Sequence, residues 1–398
     1  MQATATSRRA KIELEDTSVA FSSKSNFQLQ KAYWLFNLMN KAWVVKLGTF
    51  FIKLAFLLQL PIKSLIRLTI FEQFCGGETI TECNKTIESL SKGGVGTILD
   101  YSVEGEDSES SFEHTTEEIL KTIEKASQSE DVPFSVFKIT GVASTELLEK
   151  IQQGYELTNN EQLQFQNVKQ RVDRLCAKAC EQNVRLFIDA EESWIQGVID
   201  DLAYCAMKRY NTSTTTVYNT YQMYRADMLG NLEKATKIAK TEGYLLGAKL
   251  VRGAYIERER LRSHEEEYKD PIHNTKADTD RDFDDSIVFC LQNRNVISFC
   301  LGTHNEKSCL YCAELMDKMD IAHNDNHVWF AQLLGMSDNI SYNLSKSGYN
   351  VAKYVPYGPI QSVMPYLFRR AAENKSIAGQ SSREFLLIKK EVLRRKAH

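Results

Sequence analysis

Tyr366, Arg369, Arg370 and Glu373 fall at i, i+3, i+4 and i+7 within YGPIQSVMPYLFRRAAEN (357–374). At helical spacing they share one face. Adjacent arginines point about 100° apart on a helix, so both can still converge on one small anion. Two guanidinium forks on one carboxylate give charge-assisted, geometrically selective bonds. The same stretch carries Val363, Met364, Leu367 and Phe368 for burial. A surface salt-bridge face is the ordinary alternative. Here the helix follows an apolar, strand-like run, so the arginines read as a carboxylate clamp for a small acid. Tyr366 and Tyr354 would supply ring walls.

Three other stretches could do chemistry. FIDAEES (187–193) puts three carboxylates just past an apolar run, suited either to acid–base work or to starting the next helix. LVRGAY (250–255) joins a cation, a glycine and an aromatic ring. Glycine permits close backbone approach, and arginine suits a phosphate oxygen. GTHN (302–305) opens a helix, whose N–H groups could also hold phosphate. Together they suggest a ligand with a diphosphate, hence a nucleotide cofactor. CLYC (309–312) has no second cysteine pair at zinc spacing and reads as buried thiols; HNDNH (323–327) reads as a loop. No metal site is expected, and neither a dinucleotide-binding GxGxxG nor a P-loop motif is present.

Positioning these groups falls to eight apolar runs, each followed by a helix-period segment: Gly96–Val103, Phe134–Thr140, Arg185–Glu191, Thr215–Gln222, Leu246–Gly253, Val296–His304, His327–Gly335 and Ala352–Gly358. Near-continuous apolar runs are the signature of parallel strands buried on both faces. The expected fold is α/β, a (β/α)8 TIM-type barrel with an N-terminal helical segment; a doubly wound open sheet is the competing architecture. Polar residues gather at the strand ends: Lys138, Asp189, Asn219 and Gln222, Arg252, Thr303 and His304, with Tyr354 in the eighth run. In a barrel these ends meet at one mouth. Two charged stretches, Glu104–Glu118 and Glu257–Asp285, read as solvated surface or as a lid over that mouth. The expected division is residues 1–93 helical, 94–388 barrel and 389–398 a basic tail.

Net charge is −3, which gives no electrostatic case for nucleic acid. Nine scattered cysteines read as reduced thiols. The first residues lack a secretory h-region. A bacterial cytoplasm is the simplest expectation, with a mitochondrial location as the alternative. The apolar segment Lys41–Phe71 is interrupted by Lys46, Lys53, Lys63 and Arg67 and is too short in its uncharged runs to span a bilayer. It reads either as a helix pair covering the core or as a basic amphipathic surface that rests on a membrane.

FKIT, FIDAEES, LVRGAY, GTHN, YVPYG and YLFRRAAEN, in this order, resemble the proline dehydrogenase family across Gly94–Ile388. The resemblance implies a distorted barrel holding FAD non-covalently. It implies oxidation of L-proline to Δ1-pyrroline-5-carboxylate by hydride transfer from C5 to flavin N5, with electrons passed to membrane quinone. Arg369 and Arg370 match the pair that holds the proline carboxylate. Tyr255, Leu333, Tyr354 and Tyr366 match the ring walls, and Lys138 and Asp189 the polar pair beneath flavin and substrate. Ala190, Asn219, Val251, Arg252, Gly253, Ala254, Thr303, His304 and Glu373 match cofactor contacts. Lys249 stands near the flavin's reactive edge, where many bacterial members carry arginine; many carry glutamine at Asn219. Related hydroxyproline enzymes tend to have a smaller residue at Tyr354, so a tyrosine argues for proline. The resemblance also implies that Glu104 pairs with Arg370 and closes a lid. The alternatives are a hydroxyproline dehydrogenase and a Schiff-base aldolase-type barrel using Lys138.

Overall fold

A computed structural model describes residues 12–103, 107–373 and 382–397 of the protein. Its eight strands are β1 Gly96–Tyr101, β2 Phe134–Lys138, β3 Arg185–Asp189, β4 Val217–Gln222, β5 Leu246–Val251, β6 Ile297–Gly302, β7 Val328–Leu333 and β8 Val351–Tyr357. They pair in parallel and in sequence order, and β1 closes onto β8. Closure removes the doubly wound alternative. Several expected strands overrun, for example past Lys138 and past Asp189 by two residues each. Of those residues, Thr140, Ala190 and Glu191 line cavities at the mouth, while Ile139 is buried in the main core.

The period of two along each strand sorts side chains into two layers. Inside the barrel, Phe134 and Phe187 stack with centroids 4.3 Å apart, and Tyr218 and Trp329 meet Phe134 edge-on. This aromatic plug fills the N-terminal half of the barrel and leaves the C-terminal half for a ligand. Gly247 permits it: a Cβ there would lie 2.3 Å from the Val217 carbonyl oxygen and 2.7 Å from the Tyr218 ring. Outward-facing residues such as Leu186, Ala248 and Leu250 join the helices in the main core.

A second apolar cluster lies beside the barrel. It joins Phe36 and Phe74 of the N-terminal segment to Val363 and Leu367, and to Phe385 and Ile388 of the helix Arg383–Lys396. That last helix runs unbroken across residues 388 and 389, and its Arg395 donates to the carbonyls of Phe21 at 2.7 Å and Lys24 at 2.8 Å. The charged stretch after β5 is largely helical, with helices Ile256–Glu265 and Lys276–Gln292, and is laced by pairs such as Arg258–Glu192 at 2.6 Å.

Helix Ala42–Leu57 packs against the arginine-bearing helix Met364–Glu373. It buries Val45 and Ala55 but exposes Trp43, Leu47, Phe50, Phe51 and Leu57 beside Lys46 and Lys53. Among the described residues, no helix is long and apolar enough to cross a membrane.

Candidate active site

A cavity of about 550 Å³ opens at the C-terminal ends of the strands. Strand register builds its floor. Lys138 is the ladder partner of Asp189, and Leu333 that of Tyr354. In β5, Lys249 and Val251 point inward while Ala248 and Leu250 face the helices. The Lys249 ammonium is nearly inaccessible. It donates to the Asp189 carboxylate and, at 2.7 Å, to the Tyr354 hydroxyl, and it lies 4.7 Å from the centre of the Tyr354 ring. A buried cation of this kind persists only when paired. Burial and the Asp189 charge push the Tyr354 phenol well above its ordinary range, so it stays protonated.

Helix Met364–Glu373 closes one side. Tyr366, Arg369, Arg370 and Glu373 all line the cavity, as their shared face requires. Arg370 lies over the Tyr366 ring at 5.1 Å and bonds Glu373 at 2.6 Å. Glu104, the expected partner of Arg370, lies outside the described residues.

The opposite rim holds Arg252, Gly253, Ala254, Thr303 and His304, with Ala190 and Tyr255 also on the wall. Arg252 is fixed by Asp280 at 2.7 Å, Thr303 at 2.9 Å and Ser308 at 3.0 Å, so three of its donors are already used. The expected phosphate-binding helix end is capped instead by the protein. Asn305 Oδ1 accepts the Lys307 and Ser308 N–H groups of helix Glu306–Lys318 at 2.9 and 3.3 Å.

Asn219 is corrected. It occupies an outward position in β4, and its amide donates to Asp200 of helix Ser193–Tyr210 at 2.8 Å. Thr220 and Gln222, on the other parity of the strand, reach the cavity instead. Gln222 donates to the Glu191 carbonyl at 2.6 Å.

The carboxylates of FIDAEES divide their work. Asp189 enters the main cavity, while Glu191 and Glu192 line a neighbouring one of about 420 Å³ that shares Asp100, Lys138, Tyr255 and Arg369 with it. Glu192 occupies the N-cap position of the next helix, but none of the three carboxylates bonds its N–H groups. Its first N–H, from Ser193, is accepted by Glu259 at 2.7 Å. Glu191 accepts from the Thr140 backbone N–H at 3.0 Å and from the Thr140 hydroxyl. Burial pushes its carboxyl up to about 7, against those bonds and the Lys138 charge. A raised carboxyl favours the folded state below its unfolded pKa near 4.5 and loses that advantage as pH rises through 7. Wild type should therefore lose on the order of 3 kcal/mol relative to Glu191→Gln between about pH 4.5 and 8. Denaturant midpoints of the two proteins across that range check this; parallel profiles would refute it.

Asp100 escaped the sequence reading. It lies one residue before the end of β1, lines both cavities and accepts from Ser102 Oγ at 2.6 Å. Burial raises its pKa, partly offset by Lys138. Its signal was that of Asp189, a carboxylate in an apolar run. The thiols of CLYC are buried in a helix, as expected. His323 and His327 bond Asp317 and Asp325, and no metal-binding cluster exists among the described residues.

Comparison with known proteins bears on this geometry. Residues 83–383 match the family described as proline dehydrogenase. The chain is 31% identical over 426 residues to "Proline dehydrogenase 1, mitochondrial" of Dictyostelium discoideum, covering 96% of this chain and 74% of that protein. It is 39% identical over 241 residues to the Homo sapiens protein of the same description, covering 60% of this chain and 40% of that one. A crystal structure of proline utilization A from Bdellovibrio bacteriovorus, inactivated by N-propargylglycine, superposes with a TM-score of 0.72. Identity there is 18%, over 94% of this chain and 40% of that one, and the likeness is one of fold.

Proposed function

The chain belongs to the proline dehydrogenase family and is an oxidoreductase acting on proline, and from that premise we propose that it uses non-covalent FAD to form Δ1-pyrroline-5-carboxylate. The observation that carries this reading is the single cavity that unites the arginine pair with Lys138, Asp189, Lys249 and the rim of β5 and β6. The cavity fits the cofactor. It has apolar walls at Val251, Ala331 and Leu333 for a flat ring system, and cations at Arg252 and Lys276 toward the rim for a diphosphate. Lys249, Val251, Arg252, Gly253, Ala254, Thr303, His304 and Glu373 would hold it, with Ala190 beside them. When bound, FAD would accept the hydride from proline C5.

The chain's own residues do the rest. Arg369 and Arg370 hold the carboxylate and so fix the orientation of the ring. Tyr255, Leu333, Tyr354 and Tyr366 enclose the ring and exclude water. Iminium formation requires a neutral amine, so the ammonium proton must leave before the hydride. Lys138 and Arg369 at the cavity favour that loss, because like charge lowers the pKa of a bound amine, while the Asp189 and Glu373 carboxylates offset Lys249 and Arg370. The Tyr354 side chain occupies space a ring hydroxyl would need, which favours proline over hydroxyproline.

Membrane quinone is the proposed electron acceptor, reached by peripheral contact through helix Ala42–Leu57. Contiguous exposed apolar surface beside lysines suits an anionic bilayer. The relatives' mitochondrial names favour the matrix side of the inner membrane over a bacterial cytoplasm. Phe50→Glu should reduce co-sedimentation with phosphatidylglycerol-containing vesicles severalfold and leave proline-dependent flavin reduction intact. Equal sedimentation would remove this face from the proposal.

The visible spectrum of the purified protein, repeated after anaerobic addition of L-proline, tests the reading. A flavin spectrum that bleaches is expected. A colourless protein that refuses added FAD would overturn it, and borohydride trapping would then ask whether Lys138 forms a Schiff base.

A further inference from the structure

His304, exposed at the cavity rim, is tied to the C-terminal helix by a short chain of hydrogen bonds. Its Nδ1 lies 2.9 Å from Ser337 Oγ. Glu384, in the first turn of helix Arg383–Lys396, accepts the Ser337 backbone N–H through Oε1 at 2.5 Å, and the same oxygen is 3.2 Å from Ser337 Oγ. Ser337 and Glu384 are both buried. Ser337 has φ 52°, a left-handed conformation that a non-glycine residue holds only when its surroundings impose it. Two bonds to Glu384 hold it on one side, and the Ile340 and Ser341 N–H groups donate to its carbonyl on the other.

The chemistry of the chain fixes its direction. Partial desolvation, with the Lys353 and Arg370 charges nearby, lowers the His304 pKa, so at pH 8.5 the ring is neutral and carries one N–H. Which nitrogen bears it depends on the partner of Nδ1. Ser337 has one O–H to give. An ionised carboxylate is a stronger acceptor than a neutral imidazole. The hydroxyl therefore donates to Glu384, and its oxygen accepts from His304 Nδ1–H. Nε2 is left with a lone pair. Other charges pack around the carboxylate: Asp338 faces it, and Lys353, 2.9 Å from Asp338, partly compensates both.

We propose that Glu384 is a positioning residue which, through Ser337, fixes the Nδ1–H tautomer of His304, so that His304 offers the cofactor cavity an acceptor and not a donor. The C-terminal helix is thereby part of the site, although its own side chains do not line the cavity. It is brought there by burial of Phe385, Leu387 and Ile388 in the second apolar cluster. The link to the cofactor rests on the FAD reading; the tautomer does not.

The test uses full-length protein freed of flavin and labelled with ¹⁵N-histidine, with His304→Gln to assign the signal. At about pH 8.5, where a carboxyl of pKa near 7 is ionised, the imidazole spectrum of wild type should show Nδ1–H. Glu384→Ala and Ser337→Ala should both move the ring toward Nε2–H or a tautomer mixture. Each should weaken FAD binding by the flavin-free protein roughly tenfold, the scale of one buried hydrogen bond. If Glu384→Ala does not fold, Ser337→Ala, which removes a single hydroxyl, still decides. An Nε2–H signal in wild type, or a tautomer unchanged in Ser337→Ala, overturns the proposal. A changed tautomer with unchanged FAD affinity overturns the link to the cofactor. Failure of wild type itself to take up FAD counts against the function proposed above and leaves the tautomer result standing.

Discussion

Arg370→Ala is expected to lower kcat/KM for L-proline by about thirtyfold to several thousandfold. Truncating one partner of a desolvated, hydrogen-bonded charge pair costs about 2–5 kcal/mol, and each 1.4 kcal/mol is a factor of ten. The high end is the better guide here, because Arg370 is buried and its guanidinium carbon lies 5.1 Å from the centre of the Tyr366 ring. The loss should fall mainly on KM, since the carboxylate contact exists in ground and transition states alike. Arg370→Lys keeps the charge but not the fork, and should land between wild type and alanine. Arg369 is less buried, and its alanine variant should lose less. The carboxylate assignment has its own control. With L-prolinamide, which lacks the negative charge, wild type and Arg370→Ala should become nearly equal. Steady-state kinetics on both substrates decide; a KM for proline unmoved by Arg370→Ala would sink the clamp.

Lys249→Met should cost as much by another route. It keeps much of the side-chain volume but removes the cation that Asp189 and the Tyr354 hydroxyl share. Breaking one side of a buried ion pair destabilises by about 3–5 kcal/mol, because the remaining charge has lost its compensation. Proline-dependent flavin bleaching should also slow by about 10²–10³, the usual effect of removing one preorganised donor from a reacting centre. Lys249→Arg restores the residue found in many bacterial family members. It keeps the charge, so stability should stay near wild type while the bleaching rate reports whether the fork or the point charge matters. Denaturant unfolding and stopped-flow bleaching separate the two effects. A Lys249→Met protein as stable and as fast as wild type would remove Lys249 from the reaction.

Much of this site was legible because short-range periodicity carries it. Lys138, Asp189 and Arg252 each lie at or just past the end of a strand, and parallel strands deliver such ends to one mouth, whereas Lys249 lies inside its apolar run and was reached through the family resemblance. The arginine face needs only helical spacing. Asn219 failed for a reason that is also local. It lies three residues before the end of β4, so counting in twos from Gln222 would have sent it outward. Asp100 was overlooked beside the acidic stretch that follows it, although it carried the same signal as Asp189.

The amino-acid sequence by itself determined the eight strands and the helix face that bears the clamp, because each follows from hydrophobic pattern within about twenty residues; closure of the strands into a barrel was decided by the pairing of β1 with β8. Only the tertiary structure decided the rest. Glu259, and no residue of FIDAEES, satisfies the first N–H of the helix at Ser193. Glu384 reaches His304 through Ser337 from a helix that belongs to a different apolar cluster. Each of these contacts joins residues far apart in the chain, and its geometry is fixed by how whole helices pack. No local spacing encodes that packing, so no local pattern could announce it.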